Sequence, residues 1–123
     1  MAKRSAPPGL RIRLVLGPDA MIGPGKADLL DLIRETGSIA AAGRRMGMSY
    51  KRAWTLVETM NAAFEAPLVE TARGGAAHGG AVLSPLGAQI LAAYRRLEAK
   101  AAKATEAEAA EIRAAIRPAF KAD

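Results

Sequence analysis

The stretch from Ser38 to Met60, SIAAAGRRMGMSYKRAWTLVETM, limits the possible folds of this chain more than any other segment. Ser38 and Ser49 each stand where an N-cap is expected, with a hydroxyl that can accept a backbone N–H at a helix start. Gly47 lies between them, where a helix commonly ends in the left-handed conformation that glycine adopts at little cost. Two short helices joined by so few residues must cross steeply, so the segment predicts a helix-turn-helix.

Apolar residues three and four positions apart give each of these two helices a single apolar face. The expected members are Ile39, Ala42 and Met46 in the first helix and Ala53, Leu56, Val57 and Met60 in the second. The opposite side of the second helix is then left for solvent or for a partner.

Charge distinguishes this segment from an ordinary helical hairpin. No Asp or Glu lies between Glu35 and Glu58, whereas several Lys and Arg residues do. The first turns of a recognition helix reach base edges in the major groove, where Arg can bond guanine and Lys or Tyr can bond a base or a phosphate. We therefore predict binding to double-stranded DNA, with a solvated basic face on a helical hairpin as the alternative.

The residues before Ser38 are expected to complete the core. Met1 to Gly9 is basic and proline-containing, and it predicts a flexible tail. Leu10 to Leu16 alternates with a period of two, which predicts a half-buried strand, and Ala20 to Ile22 suits a short return strand. Lys26 to Glu35 predicts a helix that Gly37 ends. The expected core residues of this helix are Ala27, Leu29, Leu30 and Ile33.

The residues after Met60 predict a β-hairpin followed by a long helix. Leu68 to Thr71 and Ala81 to Ser84 suit two strands joined by the glycine-rich run RGGAAHGG. A hairpin directly after a helix-turn-helix is the wing of a winged-helix fold, and Arg73 is its expected charged contact. Ser84 and Pro85 then suit the N-cap and first position of a helix that extends to about Ile116.

Two assignments stay open on the sequence alone. Trp54 is either a partly buried packing residue or a residue that stacks on a base or contacts a partner. The alanine-rich end of the long helix is either a solvated tail or a dimer contact, and Leu86 to Leu97 is the part that we expect to dimerise.

Composition supports one nucleic-acid-binding domain. A chain of 123 residues with a net charge of +6 suits a single domain with an acidic partner such as nucleic acid. It has no cysteine, which excludes disulfides and fits a reducing cytosol. No apolar run approaches the ~20 residues of a membrane span, so we expect a cytoplasmic protein that does not associate with membranes.

Signals for catalysis or cofactor binding are weak. His78 is the only histidine, and a lone histidine without cysteines or clustered carboxylates is a poor metal ligand or catalytic base. The glycine-rich run lacks the Lys-Ser/Thr pair of a phosphate-cradling P-loop. We expect a protein that is not an enzyme and that binds neither a cofactor nor a metal.

These patterns predict a mainly α fold with a small β-hairpin, organised as a winged helix-turn-helix plus a long C-terminal helix. Residues 1–9 would form the tail, 10–97 the DNA-binding domain and 98–123 an alanine-rich helical extension. The predicted DNA-binding residues are Ser38, Arg44, Arg45, Ser49, Tyr50, Lys51, Arg52 and Arg73.

Over about Leu10 to Leu97, the chain resembles the N-terminal DNA-binding domain of the ModE-type molybdate-responsive transcriptional regulators. The most similar segments are GPG before the first helix, TGSIAAAGRRMGMSYKRAW, MNAAFEAPLVE, the glycine-rich run and LSPLG. The resemblance implies a winged-helix fold, a homodimer and recognition through the helix that holds Tyr50, Lys51 and Arg52, with wing contacts near Arg73.

Those regulators usually carry C-terminal oxyanion-binding domains that sense molybdate. After Leu97 this sequence continues as an alanine-rich helix without a strand pattern, which makes molybdate a doubtful ligand of this chain. The leading hypothesis is a dimeric, sequence-specific DNA-binding regulator of molybdate-related genes. The alternatives are a weakly selective architectural DNA-binding protein and a helix-mediated partner-binding protein.

Overall fold

A computed structural model describes residues 9–71 and 80–121, which form five α-helices and two antiparallel hairpins. The elements are β1 (Leu14–Gly17), β2 (Ala20–Ile22), α1 (Pro24–Thr36), α2 (Ile39–Arg45), α3 (Tyr50–Ala63), β3 (Val69–Thr71), β4 (Ala81–Leu83), α4 (Pro85–Ala104), α5 (Glu106–Ala114) and a 3-10 turn at Pro118–Phe120. They confirm the predicted mainly α class with a small hairpin. Residues 1–8 of the predicted tail, Arg73 and His78 lie outside the described residues.

Helix α1 forms the centre of the core. Its apolar stripe is fully buried, as predicted. The helix packs on α2, β4 and α4, and it starts at Pro24, two residues earlier than predicted, because proline needs no hydrogen-bond acceptor at a helix start. The other buried apolar residues are Ile22, Ile39, Ala42, Ala53, Val57, Met60, Leu68, Val69, Ala81, Leu91 and Tyr94.

The turns between the first three helices are made by the glycines that the sequence indicated. Gly37 ends α1 with φ 71°, and its N–H donates to the Ile33 carbonyl oxygen at 2.8 Å. Gly47 separates α2 from α3 with φ 73°. Positive φ in this range is costly for residues with a Cβ, so both glycines are required by the backbone.

The N-terminal strand is shorter and more exposed than predicted. Strand pairing begins at Leu14 rather than Leu10, and the register shifts between Val15 and Gly17. Leu14 and Leu16 remain 39% and 52% exposed, so the expectation of a half-buried strand from Leu10 to Leu16 was wrong. The reason is that β1 pairs only with β2, and its leucines line an open groove against α4 instead of a closed core.

The predicted single C-terminal helix is broken at Thr105. Its φ and ψ of −110° and 11° interrupt the helix between Ala104 and Glu106. The Thr105 hydroxyl donates to the Ala101 carbonyl oxygen at 2.8 Å, a local bond that competes with helix continuation. Helix α5 has no buried residue, so no core contact holds it in line with α4.

Helix α4 is fixed against the rest of the fold at its first turn. The Ser84 Oγ accepts the Gly87 N–H at 2.9 Å and donates to the Pro67 carbonyl oxygen at 2.7 Å, which confirms the predicted N-cap. A Cβ on Gly87 would overlap the Leu68 carbonyl oxygen. Only glycine therefore allows this approach of α4 to the strand that precedes the hairpin turn.

A second attachment of α4 is ionic. The Arg95 guanidinium lies 2.6 Å from the Asp31 carboxylate and 2.8 Å from that of Asp28, both on α1, and 2.9 Å from that of Glu98. Because Arg95 is about one-third exposed, each of these bonds contributes little to stability by itself. Together they fix the direction in which α4 leaves the core.

We expect Gly87→Ala to lower the free energy of unfolding by about 3 kcal/mol, because the added Cβ must displace backbone. Gly25→Ala is the matched control: Gly25 lies in α1 with nothing within 4 Å of a built Cβ, so this variant should be unchanged or slightly more stable. Urea unfolding measures both. A Gly87→Ala variant with the wild-type midpoint would contradict the close approach.

Candidate nucleic-acid interface

Two serine caps determine where α2 and α3 begin. The Ser38 Oγ accepts the Ala41 N–H and the Ser49 Oγ accepts the Arg52 N–H, each at 3.0 Å. Both predicted N-caps are thereby confirmed, and Tyr50 is the first residue of α3. Each hydroxyl already serves as a cap, so the additional role of Ser38 and Ser49 as DNA contacts stays a prediction.

The buried residues of α3 define its inward side. Ala53, Val57 and Met60 are buried, and Leu56 packs partly against the same core. At about 100° per residue, the side opposite these residues carries Lys51, Thr55 and Glu58, and all three side chains are exposed. We call this line of three residues the outer line of α3.

Sequence analysis found only Lys51 of the outer line. Thr55 and Glu58 follow Lys51 at spacings of four and three, which is the helical spacing already used for the apolar face. The same periodicity, applied to the polar side of the helix, would have found both residues. They matter because a hydroxyl and a carboxylate add hydrogen-bonding groups to the exposed side of α3 that carries Lys51.

One flank of α3 is aromatic and faces the β3–β4 hairpin. The rings of Tyr50 and Trp54 are stacked with centroids 6.3 Å apart and an interplanar angle of 16°. Tyr50 is 58% exposed, whereas Trp54 is partly buried against the core. The packing alternative for Trp54 is therefore confirmed, while its role towards a base or a partner stays open.

The other flank of α3 is cationic. Lys26, in the first turn of α1, is only 9% exposed, and its Nζ donates to the Met21 carbonyl oxygen at 3.2 Å. Burial lowers the pKa of Lys26, and the positive charges of Arg13 and Arg52 lower it further. Arg52 thus belongs to a group of three cations beside the start of α1. Sequence analysis missed Arg13 and Lys26 because only the fold brings them near Arg52.

The two arginines at the end of α2 are both exposed, but they differ in their partners. The Arg45 guanidinium lies 2.7 Å from the Glu35 carboxylate. Both side chains of this pair are more than half exposed, so the bond is weak and Arg45 can exchange Glu35 for another anion. Arg44 forms no ion pair with the described residues.

Asn61 attaches the hairpin to α3. Its Nδ2 donates to the Val69 carbonyl oxygen at 3.1 Å, and its Oδ1 accepts the N–H groups of Leu68 and Val69 at 2.8 and 3.1 Å. On the far strand, the Ala81 N–H donates to the Gly37 carbonyl oxygen at 2.9 Å. The hairpin is thus held by α3 and by the end of α1, in a register that pairs Glu70 with Val82.

Residues 9–71 and 80–121 contain neither a metal-binding cluster nor a helix that could span a membrane. These residues contain no group of three His, Cys, Asp or Glu side chains arranged to hold a metal ion. Within the same residues, none of the helices combines the length and the apolar character needed to cross a membrane.

Part of this chain is similar in sequence to known proteins. No family model matches the chain. It is 50% identical over 84 residues to the molybdenum-pterin-binding protein MopB of Rhodobacter capsulatus, an alignment that covers 68% of this chain and 31% of MopB. It is 41% identical over 71 residues to the DNA-binding transcriptional dual regulator ModE of Escherichia coli (strain K12), covering 58% of this chain and 27% of ModE. The chain is a homologue of the ModE and Mop proteins.

A second Mop protein of Rhodobacter capsulatus, MopA, is 42% identical to this ModE/Mop homologue over 83 residues. The names of these relatives describe molybdenum-pterin-binding proteins and transcription regulators. The chain spans about a third of their length.

We expect Asn61→Ala to release the hairpin from α3. The variant loses the acceptor of two backbone N–H groups, which should cost about 1–3 kcal/mol of stability. Hydrogen exchange measured by NMR should show faster exchange at the amides of Leu68 and Val69. Gln89→Ala, at an exposed polar position of α4, is the control and should leave both rates unchanged. Wild-type exchange in Asn61→Ala would rule out this attachment.

Proposed function

We propose that the chain is a dimeric, sequence-specific DNA-binding regulator of molybdate-related genes, with a winged helix-turn-helix as its DNA-binding unit. The observation that carries this proposal is the solvent-exposed outer line of α3, which begins at Lys51 in a stretch that contains Arg44 and Arg52 and no acid between Glu35 and Glu58. Homology to ModE, whose name describes a DNA-binding transcriptional regulator, supports it. The order α2, α3, β3, β4 is that of a helix-turn-helix followed by a wing.

In the proposed complex α3 lies in the major groove. Lys51 and Thr55 would reach base edges, since they point directly away from the core. Glu58, on the same line, would accept a hydrogen bond from the exocyclic amine of cytosine, which is the one major-groove donor of a G·C pair. Its carboxylate would also repel phosphates, which limits the orientations that α3 can take on DNA of other sequences.

Arg52 is better suited to a phosphate than to a base. It lies on the cationic flank with Arg13 and Lys26 rather than on the outer line of α3. Several cations near one point neutralise backbone charge, which gives affinity without sequence information. Arg44 and Arg45, at the end of α2, would also contact phosphates without reading sequence. Arg73 of the predicted wing stays a proposed contact.

Dimerisation is proposed through an apolar groove between β1 and α4. The groove has a volume of about 220 Å³ and is lined by Leu14, Leu16, Ile22, Phe64, Ile90, Ala93, Tyr94 and Leu97. Leu91 and Tyr94 are buried within the monomer, so only part of the predicted segment Leu86 to Leu97 can reach a second copy. A two-fold dimer would bring two α3 helices to successive major grooves and favour an inverted-repeat site.

Molybdate is not proposed as a ligand of this chain. The molybdenum-related names describe whole relatives, of which the chain spans about a third. Regulation of molybdate-related genes would then come from the DNA sequence that the chain recognises, with any response to molybdate supplied elsewhere.

Single substitutions separate base contacts from phosphate contacts. We expect Lys51→Ala to weaken binding to a selected genomic site by about 1–3 kcal/mol and binding to random DNA much less. Arg52→Ala should weaken both equally and reduce the slope of log affinity against log salt by about 0.9. Fluorescence anisotropy with both duplexes at several salt concentrations measures these effects.

The control for this pair is Arg113→Ala, which removes an exposed cation from α5 and should change neither affinity. If no genomic fragment is preferred over random DNA, the chain is a weakly selective architectural protein and the proposal of sequence specificity is wrong. Absence of any DNA binding would favour the partner-binding alternative.

The dimer is tested by a charge placed in the groove. We expect Leu16→Glu to raise the dimer dissociation constant at least about tenfold, because an unpaired charge is costly to bury. Val15→Glu is the matched control. Val15 precedes Leu16 in the chain, is 65% exposed and does not line the groove. Sedimentation equilibrium distinguishes the variants, and equal dissociation constants would disprove the groove as the interface.

A further inference from the structure

Tyr50 and Trp54 form a stacked aromatic pair on one flank of α3. We propose that this pair reads the methyl groups of thymine in the major groove, so that the chain selects thymine at the base step that faces it. The inference rests on the proposed DNA-binding function and adds to it the chemical identity of the bases that are selected.

Tyr50 is 58% exposed although it carries a large aromatic ring. Its ring lies at 6.3 Å and 16° from that of Trp54, and Trp54 packs partly against the core. Trp54 therefore lies beside the Tyr50 ring with its plane nearly parallel, and more than half of Tyr50 stays open to solvent.

Tyr50 and Trp54 are four residues apart, which places them about 40° apart around α3. Lys51 follows Tyr50 directly and begins the outer line of α3. A duplex that lies against Lys51 therefore also approaches the aromatic pair, on the side that faces the hairpin. Arg52, on the opposite flank of α3, and Arg44 and Arg45, at the end of α2, are exposed cations that complement the charge of the DNA backbone.

Base edges in the major groove present hydrogen-bond donors and acceptors, and the C5 methyl of thymine is the apolar group among them. When an aromatic ring covers that methyl, apolar surface is removed from water, and this favours binding. Against the polar edges of a G·C pair the ring would remove water from donors and acceptors without replacing their hydrogen bonds, which is unfavourable. The pair therefore favours thymine and disfavours G·C pairs.

The test uses deoxyuridine, which lacks the thymine methyl and is otherwise identical. A preferred site is first selected from a random duplex pool with the full chain, and its thymines are then replaced singly by deoxyuridine. We expect one or two positions in each half-site at which this replacement weakens binding about three- to fourfold, the value for one buried methyl-sized group. All other thymines should tolerate the replacement.

A protein variant assigns this loss to the aromatic pair. The Tyr50→Ala variant should bind the duplex with thymine and the duplex with deoxyuridine at these positions with equal affinity. This is the result that a double-mutant cycle gives for two groups in contact. Tyr50 is mostly exposed, so this variant should fold, which circular dichroism can verify. The matched control is Phe120→Ala, which removes another exposed aromatic ring from the 3-10 turn after α5 and should keep the discrimination between the two bases.

Intrinsic fluorescence gives a second readout. Trp54 is the only tryptophan of the chain, so its emission should change on addition of the selected duplex and change less with the deoxyuridine-substituted one. If the chain binds the selected site with the same affinity after every replacement of thymine by deoxyuridine, this inference is overturned and the proposed function stays intact. Discrimination that persists in Tyr50→Ala would also overturn it. A pool that yields no enriched sequence would overturn the proposed function itself.

Discussion

The close contact between α2 and α3 determines how the candidate recognition helix is presented. A Cβ on Gly43 would lie only 2.8 Å from the Cβ of Ala53, so the two helices approach more closely there than side chains allow. This contact keeps Ala53 inward, and Val57 and Met60 follow it into the core. The outer line of α3 is exposed as a direct consequence of which side is buried.

The remaining elements hold this arrangement in place from several sides. Helix α1 fills the core beneath α2, and Asn61 attaches the hairpin to α3 through backbone groups of Leu68 and Val69. Helix α4 is fixed by Gly87 and by the ion pairs of Arg95. The two flanks of α3 consequently differ in chemistry, with an aromatic pair on one and cations on the other.

Local signals in the sequence predicted most of this fold. Ser38, Ser49 and Ser84 act as the expected N-caps, and Gly37 and Gly47 adopt the expected left-handed conformation, because each of these roles depends on residues a few positions away. The limits of β1 were wrong because they depend on what covers its leucines. The groups that involve Asn61 or Lys26 were missed because their partners are brought together only by tertiary packing.

The candidate site was predicted in part for the same reason. Periodicity identified the first turn of α3, but it did not separate a position on the outer line such as Lys51 from a flanking one such as Arg52. That distinction depends on the burial of Ala53 and on the position of α1 beside Arg52.

The exposed side of α3 is tested most directly by an NMR titration of the full chain with a selected duplex, monitored at the backbone amides. We expect the largest chemical-shift changes at residues 49–58 and none in α5. Changes confined to α5 or to the groove between β1 and α4 would contradict this expectation.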